Sequence, residues 1–181
     1  DKLVLSKVLV LEEYGYFTLA VLMANFVTVI GGPVSTAIMP RMAKLEAEGR
    51  HAELVKAYRQ ATQLVTIIAG AACVTIAFNA ESLLQVWTGN EILASKSWQV
   101  LTLYTIGNGI LALTAFPYYL QYAKGDLRLH LINNIIFVIL LIPAIIWAAS
   151  KYGGIGAGYV WVGINLFSFI ILVPIIHNKF S

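Results

Sequence analysis

The sequence predicts an all-α fold, a multi-span transmembrane helix bundle, and three observations lead to this prediction. Hydrophobic residues make up 59% of the 181-residue chain and charged residues only 12%, whereas soluble proteins are about half apolar and about a quarter charged. Charged residues are absent from five stretches, each reaching the roughly 20 residues that a helix needs to cross a bilayer core. The regular alternation of apolar and polar residues that a membrane β-barrel requires is missing.

Each uncharged stretch is interpreted as one span of a single transmembrane domain, residues 1–181. The predicted spans lie at about 14–40, 60–83, 97–122, 130–149 and 153–177. Residues 1–13 resemble the end of a preceding helix, and the chain does not start with Met. We therefore expect it to be a fragment of a longer protein.

Basic residues predict the orientation of the spans, because loops rich in Lys and Arg stay in the cytoplasm. They are concentrated on one side of the predicted bundle, where the loops and the tail carry Arg41, Lys44, Arg50, Lys56, Arg59, Lys124, Arg128 and Lys179. The opposite side carries Lys2, Lys7, Lys96 and Lys151. The first group is therefore predicted to be cytoplasmic, and residues 1–13, 81–96 and 150–153 are predicted to face outward.

Glycine and proline residues interrupt the spans and indicate bends. Gly31, Gly32 and Pro33 lie inside the first span, and Pro117 lies inside the third. Proline removes a backbone donor and tends to kink a helix. These four residues are candidate hinges of a moving carrier, and a fixed kink for packing is the alternative. Pro40 is expected to end the first span, because the residue before a proline resists helical geometry.

Uncharged polar side chains inside the spans are the candidate site residues. Asn25, Asn108, Gln121 and Asn134 are the candidates for lining a cavity. Interhelical hydrogen bonding, which is common between membrane helices, is the alternative. Asn133 and Asn134 point about 100° apart on a helix, so at most one is expected to face a narrow cavity. Further polar side chains in the spans are Thr28, Gln63, Asn165 and Ser168.

Signatures of catalysis are missing from the sequence, and no enzyme activity, cofactor or metal site is predicted. There is no glycine-rich phosphate loop, HExxH motif or nucleophile elbow. His51, His130 and His177 share no spacing typical of metal ligands, and Cys73 is the single cysteine. The basic residues form no patch typical of nucleic-acid binding. None of the five uncharged stretches contains a carboxylate, which a proton- or sodium-coupled carrier usually keeps in the membrane.

Several segments, in their order along the chain, resemble the carboxy-terminal half of a polysaccharide flippase. They are DKLVLSKVL, GGPVSTAIMPRMAKLEAEGR, LLQVWTGNEILAS, FPYYLQYAKGDLRLHLINN and YGGIGAGYVWVGINL. The similarity is to Wzx-like transporters of O-antigen or exopolysaccharide units, in the MOP (MATE-like) exporter superfamily. It extends over essentially the whole chain.

The resemblance implies one lobe of a two-lobe transporter, completed by a missing amino-terminal lobe of the same protein. It implies a multi-pass protein of the bacterial inner membrane, surrounded by membrane lipids. The substrate would be an undecaprenyl-diphosphate-linked oligosaccharide, flipped across that membrane for synthesis of surface polysaccharide such as lipopolysaccharide. A multidrug or cation antiporter of the same superfamily is an alternative. A membrane enzyme of lipid-linked sugar assembly is another.

Overall fold

The computed structural model describes residues 2–180, except for the side chains of Lys2, Leu3, His177 and Phe180. The expectations for the side chains of Lys2 and His177 therefore lie outside the described part. Every regular element within the described range is an α-helix, so the all-α prediction is confirmed. The helices are α1 Lys2–Val8, α2 Leu11–Ala24, α3 Phe26–Ala47, α4 His51–Phe78, α5 Ala80–Thr88, α6 Glu91–Ala123 and α7 Arg128–Phe180.

Four helical stretches of the described chain are long and apolar enough to cross a membrane. They are Leu11–Ala47, which joins α2 and α3, then His51–Phe78, Glu91–Ala123 and Arg128–Ile176. Large apolar side chains cover their outward faces, and Ile67, for example, is 69% exposed. So much exposed apolar surface is unfavourable in water and favourable in lipid. The chain is therefore a multi-span membrane protein.

Helix α7 turns back on itself at Gly153, whose backbone angles are φ 60° and ψ −147°. The hydroxyl of Ser168 donates to Oδ1 of Asn133 over 3.5 Å, although in a straight helix these residues would lie roughly 50 Å apart. The helix consists of two antiparallel arms, residues 128–152 and 154–180, which we call the first and second arms. Each arm exceeds the roughly 20 residues that cross a bilayer core.

Pro40 does not stop the helix that contains the first predicted span, so the local reason for a span end at this position is wrong. Helix α3 continues through Pro33 and Pro40 to Ala47. A proline removes only one backbone donor, and tertiary packing stabilises the helix beyond it. Met42, one such residue, is fully buried in the apolar cluster that also contains Leu54 of α4.

Helix α6 is the centre of the bundle and packs against α2, α3, α4, α5 and α7. Its two halves contribute to two apolar clusters. One cluster contains Phe17 and Tyr104, and the other contains Leu54 and Phe116. Polar residues of α6 between these clusters are therefore held in the interior of the protein.

Candidate functional site

A cavity of about 210 Å³ lies between α6 and the two arms of α7. We call it the amide cavity. Its lining combines carboxamides, hydroxyls and aromatic rings, and His130 is the only titratable group in it. The lining residues are Leu111, Thr114, His130, Asn133, Asn134, Phe137, Trp161, Asn165, Ser168 and Leu172.

The turn at Gly153 forms the amide cavity by placing the polar residues of the two arms opposite each other. Asn133 and Asn134 come from the first arm, and Asn165 and Ser168 from the second. Because a β-carbon fits poorly where φ is positive, glycine suits this turn. The chain fold thus brings together four uncharged polar side chains that are distant in sequence.

Hydrogen bonds hold the walls of the amide cavity in place. Asn134 Nδ2 lies 3.0 Å from His130 Nε2, and Asn165 Nδ2 donates to the Trp161 carbonyl over 2.8 Å. The expectation that only one of Asn133 and Asn134 faces a cavity is wrong, because both line it. An angular separation of about 100° on the first arm therefore does not keep either side chain out of the cavity.

Asn25 and Asn108 lie behind the amide cavity in a chain of interhelical hydrogen bonds. Nε1 of Trp161 donates to Oδ1 of Asn108 over 3.0 Å, and Nδ2 of Asn108 donates to Oδ1 of Asn25 over 3.1 Å. Asn108 is only 2% exposed. The indole of Trp161 lines the cavity, whereas Asn25 and Asn108 are not among the residues of that lining. In the structure they connect the second arm, α6 and the α2–α3 junction.

Gly107 makes room for the Trp161 indole. A β-carbon at this position would overlap the indole ring, so the close approach of α6 and the second arm requires glycine. Tyr104, also on α6, stacks on Trp161, with ring centroids 5.8 Å apart and an interplanar angle of 13°. The orientation of Trp161 is therefore determined by packing as well as by its hydrogen bond.

Gln121 connects the end of α6 to the start of α7. Its side chain is fully buried, and Oε1 accepts a hydrogen bond from the backbone N–H of His130 over 3.0 Å. Nε2 donates to the Pro117 carbonyl over 3.4 Å. Gln121 thus satisfies a donor in the first turn of α7 and positions the segment that bears His130. It is not among the lining residues of the amide cavity.

The candidate hinges lie within continuous helices. Gly31, Gly32 and Pro33 are inside α3, and Pro117 is inside α6. A β-carbon at Gly32 would have no atom within 4 Å, and at Gly31 it would meet only Val65, at 3.8 Å. Neither glycine is therefore required for close helix packing. Whether these positions bend during function stays a prediction.

Two ion pairs and a histidine–carboxylate contact join the helix ends on the side predicted to be cytoplasmic. Glu46 Oε2 lies 3.3 Å from Lys124 Nζ and 3.2 Å from His51 Nδ1. Asp126 Oδ2 lies 2.6 Å from Lys179 Nζ. The hydrogen bond from Lys179, aided by the Arg128 backbone N–H, lowers the pKa of Asp126. These contacts connect the α3–α4 turn, the α6–α7 turn and the end of the second arm.

Trp161 and Gly153 are functional candidates that sequence reasoning missed. Trp161 lies in the apolar fifth predicted span, where the sequence does not distinguish a cavity-lining tryptophan from a lipid-facing or core one. The Lys151-Tyr152-Gly153-Gly154 sequence marks the turn, but it does not reveal that the arms enclose a cavity. Among the described residues, no group of three or more His, Cys, Asp or Glu side chains is placed to hold a metal ion.

Comparisons with protein-family models, with curated proteins and with solved structures find no match for this chain.

Proposed function

We propose that this chain is one lobe of a carrier that flips an undecaprenyl-diphosphate-linked oligosaccharide across the bacterial inner membrane. The observation that supports this proposal best is the amide cavity, a space within a membrane bundle whose lining includes four uncharged polar side chains of α7. The resemblance described from the sequence supplies the substrate class. In this proposal no bond is made or broken, and the protein changes only the side of the membrane on which the sugar lies.

The lining of the amide cavity suits a sugar head group. A sugar presents hydroxyls that donate and accept hydrogen bonds, and a carboxamide also offers both functions. Without such partners, each polar group in the bilayer core costs several kcal/mol. Asn133, Asn134 and Asn165, with the hydroxyl of Ser168, therefore replace part of the water that the sugar loses. The ring of Trp161 offers an apolar face to the carbon skeleton.

The size of the cavity indicates how much of the substrate this lobe holds. Ligand pockets commonly measure about 300–1,000 Å³, and the amide cavity measures about 210 Å³. It suits one sugar ring rather than a whole oligosaccharide. In the proposal the amino-terminal lobe supplies the remaining wall, and the lipid tail stays in the bilayer. Rocking of the two lobes then exposes the cavity to each side in turn.

The test is made in cells with the full-length protein that contains this chain. Asn134→Leu removes a cavity amide without adding charge. Asn178→Leu is the matched control, because Asn178 is a likewise exposed asparagine of the same helix that does not line the amide cavity. We expect Asn134→Leu to lower surface polysaccharide by about tenfold, the effect of roughly 1.4 kcal/mol, with unchanged protein abundance. Normal surface polysaccharide in the Asn134→Leu cells would contradict the proposal.

A further inference from the structure

A second pocket lies at the other end of the α7 hairpin, where the turn at Gly153 packs against α2 and the start of α6. We call it the turn pocket, and its volume is about 260 Å³. Its lining includes charged, hydroxyl and aromatic side chains, among them Glu13, Tyr16, Lys96, Ser97 and Tyr152. None of these residues belongs to the amide cavity.

The hydroxyl of Ser97 lies in the wall of the turn pocket without a partner. Ser97 is 1% exposed, and its Oγ has no hydrogen-bond partner among the described residues. Buried polar atoms in proteins are nearly always hydrogen-bonded, because leaving one unpaired is unfavourable. The unpaired hydroxyl is therefore a polar position beside the turn pocket that the packing of the protein itself leaves unsatisfied.

The rim of the turn pocket offers both kinds of hydrogen-bonding group beside aromatic rings. Glu13 supplies an acceptor and Lys96 a donor, and both are exposed. The ammonium of Lys96 lies 5.6 Å from the centre of the Tyr16 ring. Tyr152, at the mouth of the pocket, is 64% exposed. Hydroxyl-rich rings need donors and acceptors around their edges and apolar surfaces against their faces, which is the combination found here.

We infer that the turn pocket is a second saccharide-binding site, which holds one sugar unit at the end of the bundle opposite the Glu46–Lys124 ion pair. That the sugar belongs to a lipid-linked oligosaccharide rests on the proposed function. The binding chemistry rests on the side chains of the pocket itself. With the amide cavity, this gives the bundle two sugar sites at different depths.

A short aromatic column separates the two sites. Phe17 lines the turn pocket and Trp161 lines the amide cavity. Tyr104 lies between them, 5.3 Å from Phe17 in an edge-to-face contact and 5.8 Å from Trp161 in a stacked contact. A sugar that moves from one site to the other passes this column. The turn pocket is on the side predicted to face outward, so it is the exit site in this scheme.

The experiment is photo-crosslinking of the purified full-length protein with a diazirine derivative of N-acetylglucosamine, followed by mass spectrometry of the labelled peptides. We expect adducts on the peptides around Tyr16 and Tyr152, and we expect excess N-acetylglucosamine to suppress them. Ser97→Leu, which fills the pocket, should lower their yield by about tenfold. Ser95→Leu is the matched control, because Ser95 is exposed on the same helix outside the turn pocket.

The outcomes separate the two proposals. Absence of competed adducts at Tyr16 and Tyr152 in the wild type, or equal yields in Ser97→Leu, would overturn the saccharide site. Glu13→Gln provides a second test that does not disturb the core, and it should also lower the yield. If these adducts persist in a protein that flips no lipid-linked oligosaccharide, the site stands and the proposed function fails.

Discussion

Trp161 and Asn108 are joined at the centre of the bundle by a 3.0 Å hydrogen bond from the indole nitrogen to Oδ1. This bond connects the second arm of α7 to α6, and the bond from Asn108 to Asn25 extends the connection to the α2–α3 junction. Because Trp161 also lines the amide cavity, the position of the cavity wall depends on an amide that lies behind it.

Asn108→Leu is expected to destabilise the protein and to impair transport. It leaves the indole N–H of Trp161 and Oδ1 of Asn25 without their partner, and a buried unpaired group costs about 1–3 kcal/mol. Thermal unfolding of the purified protein, followed by tryptophan fluorescence, measures the loss. Asn178→Leu should unfold at the wild-type temperature. An Asn108→Leu protein as stable as wild type would show that the hydrogen-bond chain contributes little.

Gly107→Ala is expected to displace Trp161. The new β-carbon overlaps the indole, and overpacking of this kind costs about 1–3 kcal/mol. Gly163→Ala is the control, because a β-carbon there meets no atom within 4 Å and alanine favours a helix by about 1 kcal/mol over glycine. The midpoint of thermal unfolding should therefore fall for Gly107→Ala and stay level or rise for Gly163→Ala. Equal midpoints would contradict the close packing at Gly107.

The Asp126–Lys179 ion pair is expected to make stability depend on pH in the acidic range. The partners of Asp126 lower its pKa below the ordinary value of 3.8, so the ion pair stabilises the folded protein above that value. This contribution is lost as pH falls through the lowered pKa. Unfolding temperatures of the wild type and Asp126→Asn are compared from pH 7 downward. The fall in stability that is due to protonation of Asp126 should be absent in Asp126→Asn. The effect should be small because both side chains are partly exposed. Identical acid profiles would show that the pair adds no stability.

The orientation predicted from the basic residues is tested by labelling single cysteines in intact cells. Cys73→Ala removes the one thiol of this chain, and any cysteine elsewhere in the full-length protein is replaced as well. Glu48→Cys or Ser95→Cys then introduces a thiol at an exposed position. A membrane-impermeant maleimide added from outside the membrane that holds the protein should label Ser95→Cys. It should label Glu48→Cys only after that membrane is opened. The reverse pattern would invert the orientation and make the turn pocket the entry site.

The helical class of the fold was predictable because burial in lipid imposes long uncharged stretches that composition reveals directly. The end of α3 was not predictable in the same way. Local geometry favours a stop at Pro40, but packing of residues such as Met42 against α4 extends the helix to Ala47. Tertiary contacts outweighed a local signal, and those contacts cannot be read from one sequence.

That uncharged polar side chains form the candidate site was predictable from the sequence. Which of them line the amide cavity was less predictable. Asn134 lines the amide cavity, and Asn25 and Asn108 form interhelical hydrogen bonds behind it. Sequence identifies which spans carry amides, but the rotation of each helix decides which amides meet. Trp161 reaches the amide cavity wall because Gly107 leaves space for its indole. That space is visible only once α6 and the second arm of α7 are packed together.

Flipping of a fluorescent undecaprenyl-diphosphate-linked oligosaccharide in vesicles tests the central claim most directly. The purified full-length protein is reconstituted, and the fraction of labelled lipid that a membrane-impermeant quencher reaches is followed over time. The proposed function predicts protein-dependent flipping, slowed by about tenfold in Asn134→Leu and unchanged in Asn178→Leu. No protein-dependent flipping, together with drug or cation exchange in the same vesicles, would contradict it and favour the antiporter alternative.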